Sequence, residues 1–472
     1  MNFHNDEYTL KVDDLGRKQE IDIMRDLILQ ATTPYSIGIS GKWGSGKTSI
    51  MKYLMASLGG QALSYQYHTR TIQEDTKSDL EEIQDNYKES LKNLKNIHTI
   101  WFNPWENEKH QEPMVGLLQE MHNHFSMYAK LKGNTSKFAS ITIQAGLDML
   151  GSFLKAGKNQ GTNIVNIGEK YEYDNFQYID RNQKFKFIFE EAINTLLMQQ
   201  EETSDDGKVI IFIDDLDRCE NETISKLLKE IKQYLSTKRC IFVFGFDRHQ
   251  IEKSLSQTQT KTNKETREYL EKLFQTTFYI KEPQEECIRS FIEKTNPLDT
   301  TDTISDGLTS FILHIIDPNP RRIKAYLTTL YFHIQNSSFA KELDKISSDN
   351  IEKLALIAYL KLFYESVYTA LENKKDMLKS IVSVCQDKDK AKIDNAEKYF
   401  IHLEFLSHIS SSENSAFIDE DLRKETTQNN KASEDKFLNE IYQMQGKHKS
   451  FDTFRDKFAE KFINEPNIQN YL

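Results

Sequence analysis

The stretch Ser36–Leu54, SIGISGKWGSGKTSIMKYL, restricts the fold more than any other part of the chain. It runs from a short apolar strand through a glycine-rich turn into a helix, the layout of a phosphate cradle. Gly41, Gly44 and Gly46 can adopt backbone angles that other residues avoid, so successive amide N–H groups can turn inward on a polyphosphate. Lys47 then offers a point charge to the β- and γ-phosphates. Thr48 supplies a hydroxyl for Mg²⁺, and the helix N-terminus adds its partial positive charge. The spacing Gly41-x-x-x-x-Gly46-Lys47-Thr48 fits the nucleotide-binding P-loop pattern, with the strand and helix that pattern requires on either side. The candidate nucleotide-binding residues are Gly41, Trp43, Gly44, Ser45, Gly46, Lys47, Thr48 and Ser49.

A chain of 472 residues can bury a sizeable core, and its length points to two or three domains. With 61 Lys+Arg against 72 Asp+Glu, it has no general attraction to a nucleic-acid backbone, so nucleic acid is not indicated as a partner. Cys219, Cys240, Cys287 and Cys385 are widely spaced, and the first twenty residues carry no signal-peptide pattern. Both features favour a reducing cytoplasm and argue against a cysteine-built zinc site. No apolar run reaches the length of a membrane-spanning helix.

Ahead of the P-loop, Ile21, Met24, Leu27 and Ile28 form one helical stripe. Leu15-Gly16-Arg17, just before it, reads either as an adenine contact or as a plain helix-capping turn. Behind the P-loop helix, Leu80, Ile83, Tyr87, Leu91 and Leu94 recur at steps of three and four, which predicts an amphipathic surface helix or a short coiled-coil arm. Ile97–Glu108 reads as a strand stopped at Asn103-Pro104-Trp105. A helix over Pro113–Phe125 carries His122 and His124, which face different directions and make poor joint metal ligands. Phe138–Ala156 reads as an amphipathic or interface element, and Gly157–Gly168 as a polar connector.

The second chemical landmark is Lys208–Glu220, KVIIFIDDLDRCE. Its apolar run Val209–Ile213 predicts a buried parallel strand, and ligands in such sheets bind beyond the carboxyl ends of strands. Asp214 is thus placed to hold Mg²⁺, and Asp215 to orient or deprotonate an attacking water. Asp217 and Arg218 suit a salt bridge or a reach to a phosphate across a subunit boundary. Cys240–Leu255, CIFVFGFDRHQIEKSL, opens with another apolar strand, followed by Asp247, which reads as the cap of the next helix or as a γ-phosphate sensor. Ser256–Thr266 reads as a polar loop, and Tyr269–Pro283 as a helix end plus an edge strand. Asn319-Pro320 offers an N-cap and a first-turn proline to a helix over Arg321–Ile334. Arg321 is either a lid arginine aimed at the γ-phosphate or a charged helix start in water. Ile351–Leu371 and Ile393–His408 continue as helices, and Ser410–Ser450 is polar and loosely patterned.

GKWGSGKTS, FNPWE, an apolar strand ending DDLDRC, FVFGFDR, YLEKLFQ and NPRR follow one another in that order, and together they resemble the KAP family of P-loop NTPases. The resemblance covers roughly Asp13–Leu330. It implies a three-layer α/β core with a parallel sheet of the additional-strand type and ATP as the nucleotide; the residue patterns add helical insertions, a C-terminal all-α region and Mg²⁺ as the second cofactor. Read with the helical patterns along the chain, the expected division is a core over 1–285 with insertions near 66–96 and 126–205, a helical lid over 286–345 and a C-terminal helical region over 346–472. Lys47, Thr48, Asp214 and Asp215 match the family's Walker A and Walker B positions, and Arg321 matches the arginine after its asparagine-proline pair. Many members carry membrane-spanning helices between the Walker motifs, but Phe138–Ala156 is too polar and too short for a pair of spans. Soluble bacterial relatives linked to phage exclusion imply a defence role. The leading expectation is an ATPase working as a slow conformational switch, with Lys47, Asp215 and Arg321 as catalytic residues and a homo-oligomer or a separate effector protein as partner. The alternatives are a nucleotide-stabilised scaffold, a small-molecule kinase and a DNA motor.

Overall fold

The computed structural model describes residues 10, 15–59, 74–93, 97–106, 207–259, 263–297, 302–339, 346–374, 377–386, 449–465 and 468–472, with scattered positions between 116 and 197. His122, His124, Phe138–Ala156, Gly157–Gly168, Ile393–His408 and the polar stretch from Ser410 to residue 448 lie outside the described residues. So does most of the insertion expected over 126–205.

The chain divides into two units, one spanning residues 7–281 and one that takes in 282–472. In the first, β1 (Tyr35–Ser40), β2 (Ile97–Phe102), β3 (Lys208–Ile213), β4 (Cys240–Phe246) and β5 (Thr276–Tyr279) form a parallel sheet ordered β2-β3-β4-β1-β5. One row of the sheet runs Trp101, Phe212, Val243, Ile37, Thr276. β4 therefore stands between the P-loop strand and the strand that ends in two aspartates, which is the additional-strand arrangement. The carboxyl ends of β1 and β3 are two strand spacings apart, about 10 Å.

Strands that are apolar on both faces need cover on both faces. Ile210, Phe212, Ile241 and Val243 pack with Ile21, Met24 and Ile28 of α1 (Lys18–Gln30), Ile50 and Leu54 of α2 (Lys47–Ser57), and Leu80 and Ile83 of α3 (Glu74–Asn86). Their neighbours Val209, Ile211, Ile213, Phe242 and Phe244 pack on the other side. There they meet Leu227, Leu228 and Ile231 of α5 (Asn221–Tyr234), Ile251 and Leu255 of α6 (Arg248–Gln259), and Leu270 and Leu273 of α7 (Asn263–Leu273). The result is the three-layer core.

The stripe through Leu80 and Tyr87 breaks at Tyr87, where α3 gives way to α4 (Lys88–Asn93). Tyr87 donates its hydroxyl to Asp22, and the Arg25 guanidinium lies 4.6 Å over its ring. This arm leans on its own unit. The polar stretch Ser256–Thr266 is largely helical, which corrects the expected loop: α6 runs to Gln259 and α7 starts at Asn263. Ile251 and Leu255, one helical turn apart, are both buried and hold α6 on the sheet, while Lys253 and Gln257 are exposed.

The second unit is helical: α8 (Glu285–Thr295), α9 (Asp302–Ile315), α10 (Pro320–Asn336), α11 (Ser348–Phe363), α12 (Glu365–Asn373), α13 (Met377–Gln386) and α14 (Lys449–Phe462). Asn319 caps α10 as its sequence predicts, with the side-chain oxygen accepting from the Arg321 and Arg322 amides. Phe454 of α14 stacks on Tyr359 of α11 at 4.3 Å between centroids. His333 is buried, and a ring nitrogen lies 2.7 Å from the Tyr471 carbonyl oxygen. Burial lowers its pKa to about 4, so at neutral pH it is an uncharged N–H donor that holds the Tyr471 backbone. Among the described residues, no single helix is long and apolar enough to cross a membrane.

Candidate functional site

The loop between β1 and α2 takes its shape from its glycines. Gly44 and Gly46 have φ of 79° and 92°, the left-handed region where a side chain is strained. Gly41 is required for a different reason: a Cβ there would stand 2.5 Å from Ser45 Oγ. Ser45 closes the turn by donating its amide to the Lys42 carbonyl at 3.1 Å. Trp43 stands out from the loop, 63 % exposed. Gly46 caps α2, so Lys47, Thr48 and Ser49 form its first turn.

Lys47 folds back over its own loop. Its Nζ donates to the carbonyls of Gly41 at 2.9 Å and Lys42 at 3.3 Å, and meets Asp217 Oδ2 at 3.3 Å. Asp214, the first residue past β3, is held by its amide bond to the Phe102 carbonyl at 3.1 Å. Its carboxylate is 1 % exposed and hydrogen-bonded to Thr48. Burial, then the charge of Asp215, raises its pKa to about 6, against the Thr48 bond and Lys47. One of its oxygens, Oδ1, is buried without a hydrogen-bond partner, an unmet demand that a bound cation would satisfy. The set fits a Mg²⁺ site: Thr48 and Asp214 would hold the ion, as oxygen ligands suit a hard cation.

Asp215 sits in the left-handed region, at φ 55°, at the head of the 3-10 turn Leu216–Arg218. Asn103 donates to its Oδ2 at 3.2 Å, and Arg218 Nε pairs with its Oδ1 at 2.8 Å. Burial raises its pKa, Arg218 opposing. The Arg218 guanidinium lies 5.8 Å from the Trp105 ring centroid. Asp247 caps α6, its side chain accepting from the His249 amide at 3.0 Å.

The residues read from the sequence as Walker A and Walker B thus come together, Lys47 and Thr48 from α2 beside Asp214 and Asp215 from the end of β3. Arg321 belongs to the second unit, in the first turn of α10. Three residues escaped the sequence reading. The sequence shows Asn103 only as a strand end, whereas its place one residue past β2 puts it beside Asp215, to which it donates. Lys52 lies one turn after Thr48. It is buried with its Nζ 3.6 Å from the Trp101 ring centroid, and burial lowers its pKa to about 8 against the attraction of Asp214 and Glu106. Gly245 is a glycine inside an apolar strand, the one available signal of a close approach. A Cβ there would meet Met51 Sδ and stand 2.8 Å from Asp214 Oδ1.

A glycine cradle, a lysine and twin acids at the carboxyl ends of strands separated by one further strand define a P-loop NTPase site. The sequence matches the KAP family P-loop domain over residues 17–336, and the chain belongs to that family. No curated protein sequence matches it. Among solved structures, it is similar to the Aeropyrum pernix ORC2 protein in ADPNP–ADP complexes. Identity there is 10 % over 86 % of this chain and 84 % of that one, with a TM-score of 0.39. It is also similar to the Aeropyrum pernix ORC1 protein in complex with DNA, at 11 % identity over 84 % and 78 % of the two chains and a TM-score of 0.32. Likeness at this level carries no argument about what this chain binds.

Proposed function

We propose that the chain binds ATP and Mg²⁺ and hydrolyses ATP slowly, as a conformational switch. The reading rests on one observation, the meeting of Lys47, Thr48, Asp214 and Asp215 at one end of the sheet. Lys47 and the loop amides draw in the β- and γ-phosphates, and the α2 N-terminus adds its field. Thr48 and Asp214 would hold Mg²⁺, which when bound neutralises charge on the phosphate oxygens. Asp215 orients the attacking water and takes its proton, a role suited to a carboxylate whose pKa burial raises. In this reading residues 286–345 form a lid whose Arg321 reports the γ-phosphate, and 346–472 form a region that meets another copy or a separate effector protein. The four cysteines, none in a disulfide, suit a reducing cytoplasm. A place in bacterial antiphage defence rests on the family alone.

The test is molecular mass in solution with ADP, ATP and a non-hydrolysable analogue, measured beside the ATPase rate. The switch predicts a mass or shape that differs between ADP and the analogue, with turnover returning the ATP sample to the ADP form. Identical behaviour in all three would overturn it. One observation favours a second reading, a scaffold that holds nucleotide without turning it over. Both Asp215 oxygens already accept from the protein, and these bonds from Asn103 and Arg218 favour the ionised carboxylate, which makes it a weaker base toward water.

A further inference from the structure

The 3-10 turn after β3 sends its two charged residues to different tasks. Arg218 pairs with Asp215, whereas Asp217 turns to Lys47. The Lys47–Asp217 pair is buried, with side chains 7 % and 5 % exposed, so solvent screens it little. An ammonium has three N–H donors, and three protein oxygens stand within reach: Gly41 O, Lys42 O and Asp217 Oδ2. Two of these are neutral carbonyls of the lysine's own loop. The third carries the negative charge. A phosphate approaching Lys47 must therefore displace an acceptor, and it is the Asp217 carboxylate that both competes for the ammonium and repels the phosphate. The same oxygen, Oδ2, also accepts from the Asp247 amide at 3.1 Å, at the residue that caps α6. One carboxylate oxygen thus joins the P-loop lysine to the first turn of α6.

We propose that Asp217 is a positioning residue that competes with phosphate for Lys47, sets the affinity of the site for nucleoside triphosphate, and passes phosphate arrival to the start of α6. The inference rests on the reading of the P-loop as a triphosphate cradle. As Lys47 moves to phosphate, Asp217 loses its cation and keeps the Asp247 amide, so the cap of α6 follows the state of the lysine.

Asp217→Asn tests this, because the side-chain amide keeps its shape and an oxygen for the Asp247 N–H while losing the charge. Calorimetric titration of Mg²⁺–ATP into the full chain is expected to show about tenfold tighter binding than wild type, a difference of about 1.4 kcal/mol. A purely structural residue would weaken binding when altered. Hydrogen exchange over residues 247–251 is expected to change on ATP binding in wild type and to respond less in Asp217→Asn. Asp217→Ala, which also removes the acceptor, is expected to gain affinity and to exchange rapidly at 247–251 with or without ATP. Unchanged or weaker ATP binding in both folded variants, with wild type binding ATP and Lys47→Ala failing to, would overturn the inference alone. A wild-type chain that binds no ATP would overturn the triphosphate reading and the inference with it.

Discussion

Asp215→Asn is expected to slow ATP turnover by about 100-fold or more, the usual contribution of a positioned general base, while ATP affinity stays close to wild type. The asparagine keeps the shape of the side chain, and its one oxygen can still accept from Arg218, while its amide nitrogen gives up the bond from Asn103. What it loses is the capacity to accept a proton from water. A phosphate-release assay under saturating Mg²⁺–ATP, paired with a binding titration, checks both halves. The same variant separates the switch from the scaffold. If wild type already turns over no faster than Asp215→Asn, the two bonds on the carboxylate hold it idle, and the protein uses ATP as a bound part.

Gly245→Ala is expected to have the second largest effect, without changing any group that would touch nucleotide. The added methyl would stand 2.8 Å from Asp214 Oδ1 and meet Met51 Sδ. Met51 is an adaptable side chain and can shift. Asp214 cannot move far, because its amide is bonded to Phe102 and its carboxylate to Thr48. Crowding of this kind costs about 1–3 kcal/mol of stability. The displaced carboxylate should also raise the Mg²⁺ concentration needed for half-maximal ATPase, by about tenfold if roughly 1.4 kcal/mol of the metal's binding is lost. Met51→Ala serves as the control. It should lower the melting temperature and leave the Mg²⁺ requirement alone, and a shifted requirement in that variant would assign the effect to packing.

The parts of this site that are local in the chain were legible in the sequence. Gly44 and Gly46 announce left-handed backbone, the run Val209–Ile213 announces a buried strand, and the acids that follow it fall at its carboxyl end. Neither needs knowledge of what lies beside it. Asn103 was not legible as a partner of Asp215, because the two are 112 positions apart and meet only through the pairing of β2 with β3. Gly245 shows the same limit, since the carboxylate it makes room for belongs to the neighbouring strand. Asp217 reads in the sequence as suited to a salt bridge or to a reach to a phosphate across a subunit boundary, and spacing alone does not name Lys47 as its partner. The polar tract at Ser256–Thr266 misled because its composition is that of a loop. Its two helix ends are set by apolar residues outside it, Ile251 and Leu255 before the tract and Leu270 and Leu273 after it.

In the proposed reading the lysine-bearing turn after β1 and the aspartates after β3 serve a single bound Mg²⁺–ATP. Calorimetric titration of Mg²⁺–ATP into the wild-type chain and into Lys47→Ala tests it most directly. One nucleotide per chain is expected in wild type and an affinity lower by at least about tenfold in the variant, as the loss of a charge-assisted bond to phosphate requires. No heat of binding in wild type, or equal affinity in the two proteins, would contradict it.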